Sequence, residues 1–576
     1  MSQKQTKPSS AQNRAPLVVA SIGLFFLCAV CGLVFVGMYQ IDRRRTTQEV
    51  TTTPAADARL AVLTLAYSPE KKPLITGLVD DFNQQKQKTD DGRVMEVRLV
   101  EMAPDQMVEA GLGPDPGFQA LSPDASLWLD QLDLRWADAN RGEEGDLAPR
   151  RIADSARFAV SPVVIAAWPD VAQELGGGGP VGWSDLQARA AADRDFRWSH
   201  ASTSYASGML ATLAAFYAGA GKTRGLTEDD VLAPTTLEHV RDLERTVSFY
   251  GENEAVAMAR MQSEGRDFLD ALVAQEALVV QHNRAGGEQL VAIYPQEGAL
   301  WEDHPLALLD DPAITDNQRR TFRALADFLL APEQQKRVLD AGFRPADLSI
   351  PIDGADSPIS ARYGANPKEP QTTLQVPGPA VVQVVQNAWQ YTKRPSNIYL
   401  VVDTSGSMEG DKIDNVRTAL QTFVDQIKGT QDRVGMVQFS SSVYNIIPPQ
   451  PLDDAHRALV QDEISRLEAN GDTALLDGVR AAYVRLQREA DSQSINAIVA
   501  MTDGLENASS VGVNELLDQI QSENASGVPV VIFTVAYDDD ADHNLLQALA
   551  QASGGQMREG SIETIRELYR LLSQYF

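Results

Sequence analysis

One segment near residue 400 constrains the fold of this 576-residue chain more than any other. Residues 397–402 are rich in β-forming residues and end at Asp403, and Ser405 and Ser407 follow at alternate positions. A buried strand that stops at an Asp-x-Ser-x-Ser loop directs three oxygen-bearing side chains toward one place. Hard oxygen ligands in a small cluster suit Mg²⁺ or Mn²⁺. The segment therefore predicts a strand that leads into a metal-binding loop.

Strand-like and helix-like segments alternate from residue 397 to residue 576. The predicted strands are 397–403, 433–439, 495–501 and 528–536, and the predicted helices are 411–427, 454–467, 473–486, 542–551 and 562–572. The nearly uninterrupted apolar strands suit a sheet that is covered by helices on both faces. We therefore expect a doubly wound, Rossmann-like α/β domain over residues 396–576, with its site at the carboxyl ends of the strands.

Two more oxygen donors fall at the same predicted edge. Thr473 stands at the start of a helix, and Asp503 follows the strand 495–501. Together with the Asp-x-Ser-x-Ser loop, they complete a pattern that resembles the metal-ion-dependent adhesion site of von Willebrand factor type A domains.

The resemblance implies a role for each of these five residues. Ser405, Ser407 and Thr473 would bind Mg²⁺ (or Mn²⁺) directly or through water, while Asp403 and Asp503 would supply charge, largely through water. A Glu or Asp of a protein partner would fill the open position on the metal. The alternative is a structural turn without useful metal affinity.

Additional acids occur around this predicted site. Asp472 stands where such loops usually carry a small residue, and the loop after strand 528–536 contains residues 538–540 and Asp542, all aspartates. We hypothesise that the acids of this last loop, residues 538–540 and Asp542, raise the affinity for a cation and repel an acidic partner unless the metal is bound. The alternative is a helix N-cap followed by a solvated loop.

Residues 59–350 contain a second α/β pattern. Residues 60–67, 158–168, 276–281 and 289–294 are expected to form strands, and residues 208–217 and 322–339 helices. The segment resembles two-lobed bacterial extracytoplasmic (type 2 periplasmic) solute-binding proteins. The resemblance rests on the order of several short motifs: Ser-Pro-Glu-Lys at 68–71, residues 122–130, residues 158–164, Trp-Ser-Asp-Leu at 183–186, residues 202–208, residues 301–305 and the helical region 328–343.

This resemblance implies two lobes that close over a ligand in a cleft. Ser68, Ser126, Ser202 and Ser207 are the candidate ligand-binding residues, because serines at helix N-termini and free backbone N–H groups bind anions. The alternatives are that each serine is only an N-cap, and that the fold is reused for protein contacts.

The N-terminal residues predict a membrane anchor. Residues 17–38 carry no charge over 22 positions, and residues 43–45 are three arginines rather than a signal-peptidase site. We expect a cytoplasmic tail over residues 1–16, a transmembrane helix over 17–39 and a linker over 40–58. Flanking charge barely decides the orientation. The domain resemblances favour a single-pass protein of the cell membrane with extracytoplasmic domains.

Composition and motifs exclude several function classes. The net charge of −29 argues against a nucleic-acid partner. Six scattered histidines lack zinc-site spacing, and Gly-Lys-Thr at 221–223 follows a predicted helix rather than a strand, so it is not a phosphate-binding loop. No acid–base pair stands out, and we therefore expect no enzyme activity.

Residues 351–395 are predicted to form a connector that contains a helix.

The sequence thus supports three functional hypotheses. The first is a membrane-anchored binding or adhesion protein whose metal site holds a partner's carboxylate, while the lobed domain senses a solute or acts as a scaffold. The second is a tethered solute-capture component of a transport system. A third, weaker one is an accessory subunit of an enzyme complex.

Overall fold

The computed structural model describes residues 59–141, 149–177, 179–251, 253–489, 491–538, 540–562 and 564–576. Among the described residues, Ala61–Phe576 belong to one compact unit. The predicted transmembrane segment 17–39 lies outside the described residues. Within the described ranges, every helix is too short or too polar to cross a membrane.

The first lobe is built on a five-stranded mixed sheet. Its strands run in the order β2 (Val94–Glu101), β1 (Leu60–Tyr67), β3 (Ala120–Ser122), β11 (Pro305–Leu309) and β4 (Ile152–Arg157). β1 and β3 are parallel, and β11 runs antiparallel to both β3 and β4. The associated helices are α1 (Lys72–Gln84), α2 (Pro104–Gly111), α3 (Leu127–Ala139) and α11 (Asp316–Leu330).

A seven-stranded sheet forms the second lobe. Its main path is β10 (Trp301–Glu302), β5 (Ala159–Ala167), β8 (Ala271–Gln275), β6 (Trp198–Ala201) and β7 (Tyr250–Gly251), and β9 (Val291–Ile293) and β12 (Arg344–Pro345) also pair with β5. Its helices are α4 (Pro169–Gly176), α5 (Trp183–Ala192), α6 (Ala206–Ala220), α7 (Glu228–Leu232), α8 (Pro234–Glu244), α9 (Glu254–Glu264), α10 (Glu276–Ala285) and α12 (Pro332–Asp340).

The chain passes between the two sheets at short connections. Only Phe158 separates β4 from β5, and only Asp303 and His304 separate β10 from β11. The two lobes are therefore joined by adjacent crossings, and Asp124, which follows β3, accepts the Ala206 N–H of the second lobe.

Two sequence expectations for the lobed part need correction. Residues 276–281 were expected to form a strand, but they begin α10, and the strand is β8 just before it. This helix is buried on nearly all sides, so its sequence lacks the polar face that reveals a helix. The expected helix over 322–339 is divided into α11 and α12, because Pro332 starts a new helix after the extended Ala331.

The C-terminal domain has a six-stranded sheet. The strand order is β15 (Val443–Pro451), β14 (Arg433–Phe439), β13 (Ser396–Asp403), β16 (Ile495–Thr502), β17 (Val530–Tyr537) and β18 (Met557–Gly560). All neighbours are parallel except β15, which runs antiparallel at the edge. Its helices are α14 (Asp411–Gln426), α15 (Asp454–Ser465), α16 (Leu475–Glu489), α17 (Val513–Ser526), α18 (His543–Ser553) and α19 (Ile565–Ser573), with a 3₁₀ turn at Gly406–Met408.

Central strand β13 shows why this sheet is covered on both faces. Ile398 and Leu400 belong to one hydrophobic cluster, whereas Tyr399 and Val401 belong to another on the opposite face. Because side chains of a strand alternate between the two faces, a strand buried throughout requires helices on both sides. The predicted doubly wound arrangement is what the structure contains, and edge strands β15 and β18 complete it.

The connector and the C-terminal domain pack directly on the lobed part. Helix α13 (Pro379–Thr392) places Trp389 edge-to-face with Tyr250 at 5.1 Å between ring centroids. Phe249 of the second lobe stacks on Tyr575, with 6.1 Å between the centroids. The Arg394 guanidinium donates to the carbonyl oxygen of Val247 at 2.6 Å. One of the hydrophobic clusters accordingly continues from the lobes into the C-terminal domain.

Candidate functional site

Asp403 is the buried centre of the predicted metal loop. It ends β13 and is fully shielded from solvent. One carboxylate oxygen, Oδ1, accepts a hydrogen bond from the Ser405 backbone N–H at 2.7 Å, and Oδ2 accepts one from the hydroxyl of Thr502 at the end of β16. Burial raises the pKa of Asp403 to about 6, although these hydrogen bonds oppose the rise. A bound cation would offset the cost of the buried charge.

Ser405, Ser407 and Asp503 form a continuous chain of polar contacts. Ser405 Oγ lies 3.0 Å from Ser407 Oγ, which donates to Asp503 Oδ1 at 2.6 Å. Ser405 and Asp503 are buried, whereas Ser407 is exposed. The oxygen cluster therefore lies at the C-terminal edge of the sheet and opens to solvent at Ser407.

Thr473 joins this cluster through the loop before α16. A methyl group built on Gly504 would lie 3.2 Å from Thr473 Oγ1 and 3.4 Å from Ser407 Oγ. The glycine therefore leaves room between the two hydroxyls. Asn507 fixes the threonine, because its side-chain oxygen accepts the Thr473 N–H at 2.9 Å. The structure thus brings together all five residues predicted from sequence.

The sequence reasoning missed the residues that support this cluster. Thr502 holds Asp403, Asn507 holds Thr473, and the carboxylate of Glu506 accepts the Leu476 N–H at 3.0 Å. No pattern in the sequence separates these residues from ordinary loop residues, because each one acts through a contact between different strands or loops.

Lys412 is the most important missed residue. Its Nζ donates to Asp503 Oδ2 at 2.6 Å and lies 3.3 Å from Asp538 Oδ2. Burial opposes the charge on Lys412, but these two acids raise its pKa above the usual value. A sequence signal did exist. Lys412 occupies the first turn of α14, where the helix dipole disfavours a cation, and a lysine at such a position indicates acids nearby that compensate its charge.

The additional acids have different positions. Asp538 contacts the site through Lys412, with a left-handed backbone (φ 68°). Asp542 caps α18 by accepting the Leu545 N–H at 3.0 Å, as the N-cap alternative anticipated. Asp472 is exposed, and its N–H donates to Ser441 Oγ at 2.8 Å. Asp539 lies outside the described residues.

The donor set fits a hard divalent cation. It offers three hydroxyls and two carboxyls, which are the ligand types that Mg²⁺ and Mn²⁺ prefer. Nowhere in the described part of the chain do three His, Cys, Asp or Glu side chains group closely enough to hold a metal ion. A metal at this edge would accordingly depend on the hydroxyls of Ser405, Ser407 and Thr473 as ligands.

The four candidate serines of the lobed part donate to oxygen acceptors rather than capping helices. Ser68 donates to Glu70 Oε1 at 2.6 Å, and Ser126 donates to Asp303 Oδ2 at 2.7 Å. The hydroxyls of Ser207 and Ser202 donate to Glu254 and Gln574. Neither Ser68 nor Ser126 makes a side-chain cap to its helix. Their role in ligand binding stays a prediction.

Comparisons with known proteins define the class of each part. Residues 63–344 match the family described as bacterial extracellular solute-binding protein, and residues 397–568 match the von Willebrand factor type A domain. The chain therefore carries a solute-binding domain followed by a von Willebrand factor type A domain. Both are binding or adhesion types rather than typical enzyme families, and the absence of enzyme activity stays a prediction. Von Willebrand factor type A domains generally bind a divalent metal at their metal-ion-dependent adhesion site.

Individual relatives cover parts of the chain. Uncharacterized protein sll0103 of Synechocystis sp. is 25% identical over 198 residues, 33% of this chain and 45% of that protein. YfbK of Escherichia coli (strain K12) is 24% identical over 282 residues, 47% of each chain. This chain thus spans less than half the length of these relatives. The sulfate-binding protein SubI of Mycobacterium tuberculosis H37Rv covers 50% of this chain and 88% of its own, with 17% identity and a TM-score of 0.36.

Proposed function

We propose that this protein is a membrane-anchored, extracytoplasmic binding protein that holds an acidic protein partner through a divalent cation. The observation that carries the proposal is the chain of contacts from Ser405 through Ser407 to Asp503, beside the buried Asp403. Ser405, Ser407 and Thr473 would bind the metal, and the two aspartates would supply charge. The metal would present a positive centre to a carboxylate of the partner.

The surroundings of the oxygen cluster support a protein partner. Leu505, directly after Gly504, is 62% exposed, and Tyr444 is 53% exposed while its hydroxyl contacts Thr404 at 2.9 Å. Exposed apolar and aromatic side chains beside a charged centre are typical of a protein-binding surface. Residues 17–39 would anchor the chain, and the solute-binding domain would act as a sensor or scaffold.

Calorimetry of the full chain tests the metal site. Thermal unfolding is recorded in EDTA and in Mg²⁺ or Mn²⁺, for the wild type, Asp503→Asn and the exposed control Asp472→Asn. At about one hundred times the dissociation constant, the metal should stabilise the wild type and the control by about 2.7 kcal/mol. Equal stabilisation of Asp503→Asn would contradict the proposal.

A photo-crosslinking amino acid at position 505 tests the partner. Cross-linked protein should form with Mg²⁺ and disappear with EDTA or with Asp403→Asn. Cross-linking that is independent of the metal would argue against metal-mediated recognition.

Tethered solute capture for a transport system is the second candidate function. It is supported by the two lobes and their adjacent crossings at residue 158 and residues 303–304. It requires a solute that stabilises the lobed part and leaves the metal response unchanged.

Protease accessibility of residues 59–576 in intact cells tests the extracytoplasmic orientation that both candidate functions require.

A further inference from the structure

A cluster of buried ionisable residues lies between the two lobes. Glu70 and Lys71 follow β1, and Asp124 follows β3, so these three belong to the first lobe. Glu254 begins α9 and Glu302 ends β10 in the second lobe. Each of these five side chains belongs to a residue that is at most 2% exposed. The cluster therefore occupies the place where a two-lobed binding domain holds its ligand.

The charges in this inter-lobe cluster do not balance. Four carboxyls face one ammonium group, and Lys71 Nζ is directed at the carbonyl oxygens of Ser122 and Pro123, at 3.0 and 2.5 Å. Its separation from Glu70 Oε1 is 4.0 Å. His304 adds no positive charge, because burial lowers its pKa well below the usual range. Buried carboxylates without a partner are costly, so the cluster requires protons or an added cation.

Several acceptor atoms of the cluster have no hydrogen-bond partner. Both oxygens of Glu302 and Oε2 of Glu70 are buried and unpartnered. Burial, and then the carboxyls of Glu254, Asp124 and Glu70, raise the pKa of Glu302 well above its usual range. Glu302 thus points an unused carboxyl into a negatively charged space.

The donors of the cleft are already used by the chain itself. Ser68 donates to Glu70, and Ser207 donates to Glu254. The N–H of Ala206, at the start of α6, donates to Asp124 Oδ2 at 2.9 Å, so a carboxyl of the first lobe occupies this helix N-terminus. An anionic solute would meet four carboxyls and few free donors, whereas a cationic solute would meet free acceptors.

We propose that the cleft between the lobes binds an organic cation through its ammonium group, with Glu302 and Glu70 as acceptors. An ammonium group fits better than a metal ion, because nowhere in the described ranges are three carboxyl or imidazole groups close enough for one metal. An ammonium group donates hydrogen bonds to acceptors at roughly 2.8 Å, a longer distance than the roughly 2.1 Å of a Mg²⁺–oxygen contact. The lobes part to admit the ligand, which breaks the contact between Asp124 and Ala206.

The inference goes beyond the proposed function and does not rest on the metal site. It concerns only the solute-binding domain, and it assigns a class of solute that the serines alone did not suggest.

Titration of the full chain with defined probes tests the inference. The ligands are ammonium chloride, methylamine, lysine, 1,4-diaminobutane and spermidine, with sodium sulfate as the anionic probe. Thermal unfolding and titration calorimetry are recorded for the wild type, Glu302→Gln, Glu70→Gln and the exposed control Glu333→Gln. We expect at least one amine to stabilise the wild type and the control, with affinity at least tenfold weaker in both cleft variants.

Three results would overturn the inference. They are no response to any amine at millimolar concentration, stabilisation by sulfate, or equal amine affinity in the wild type and both cleft variants. Manganese chloride is tested separately in Asp403→Asn. A manganese response that persists there and disappears when Glu302→Gln is added to Asp403→Asn would place a metal ion in the cleft instead, and would leave the von Willebrand factor type A site to be judged by its own variants.

Discussion

Replacing Asp403 by Asn should stabilise the metal-free protein while removing its response to metal. The ordinary pKa of an aspartate is 3.8, and burial raises that of Asp403 to about 6 in the folded chain. The difference corresponds to about 3 kcal/mol of unfolding free energy. The wild type loses this stability as the pH rises from 3.8 to 6, because Asp403 releases its proton at a lower pH in the unfolded chain than in the folded chain.

Asparagine can keep the contact with Ser405 without the charge, while the direction of the hydrogen bond to Thr502 is reversed. Its side-chain oxygen can accept the Ser405 N–H, and its amide can donate to the Thr502 hydroxyl, which already accepts the Gly504 N–H at 3.1 Å. The amide bonds are weaker than charge-assisted ones, so we expect a gain of about 1–3 kcal/mol at pH 8. The gain should shrink below pH 6 and vanish near pH 4.

Calorimetry of the full chain at pH 8 and pH 5, in EDTA and in Mg²⁺, measures both effects. With EDTA at pH 8 the variant should melt higher than the wild type, and with saturating Mg²⁺ only the wild type should gain stability. Asp472→Asn, an exposed acid of the neighbouring loop, serves as the matched control. A variant that melts lower at pH 8 without metal, or that retains the Mg²⁺ response, would refute this reasoning.

Three further changes probe other contacts. Lys412→Met should tighten Mg²⁺ binding about tenfold in titration calorimetry, because the ammonium competes with the metal for Asp503; weaker binding would show that the lysine supports the site instead. Gly504→Ala should weaken Mg²⁺ binding with little change in melting, because its methyl group crowds the Thr473 hydroxyl; unchanged affinity would contradict the crowding. Arg344 donates two hydrogen bonds to the buried carboxylate of Glu276. Arg344→Met should therefore lower the unfolding free energy by about 3–5 kcal/mol in urea melts followed by circular dichroism, because Glu276 loses its partner. A loss below 1 kcal/mol would count against an ion pair between Arg344 and Glu276.

Patterns local to the chain were enough to predict most of the C-terminal domain. The apolar strands ending at Asp403 and Asp503 fix where two loops meet, because parallel strands of a doubly wound sheet share their carboxyl edge. Thr473 could be added because it precedes a helix. Edge strands β15 and β18 were not predicted, since half-exposed and short strands carry little hydrophobic signal.

The secondary structure of the lobed domain was harder to predict, because its buried helices lack an alternation of apolar and polar faces. Residues 276–281 look equally apolar as a strand or as a helix with no exposed face, and only the packing of α10 decides between them. The same limit applies to Ser68 and Ser207. Their positions suggested an anion site, whereas each hydroxyl donates to an acid. Glu70 stands two residues after Ser68, but Glu254 is far from Ser207 in the sequence, so no local pattern connects that pair.

The sequence by itself determined the order of domains, the doubly wound sheet and the five oxygen donors, because these depend on local periodicity and on residues near strand ends. Only the tertiary structure decided which charges share a buried space. Lys412 contacts Asp503, and Glu70 raises the pKa values of Glu254 and Glu302 electrostatically, although these residues lie on distant segments of the chain. Charge acts through space and is amplified by burial, so its partners become known only once the chain has folded.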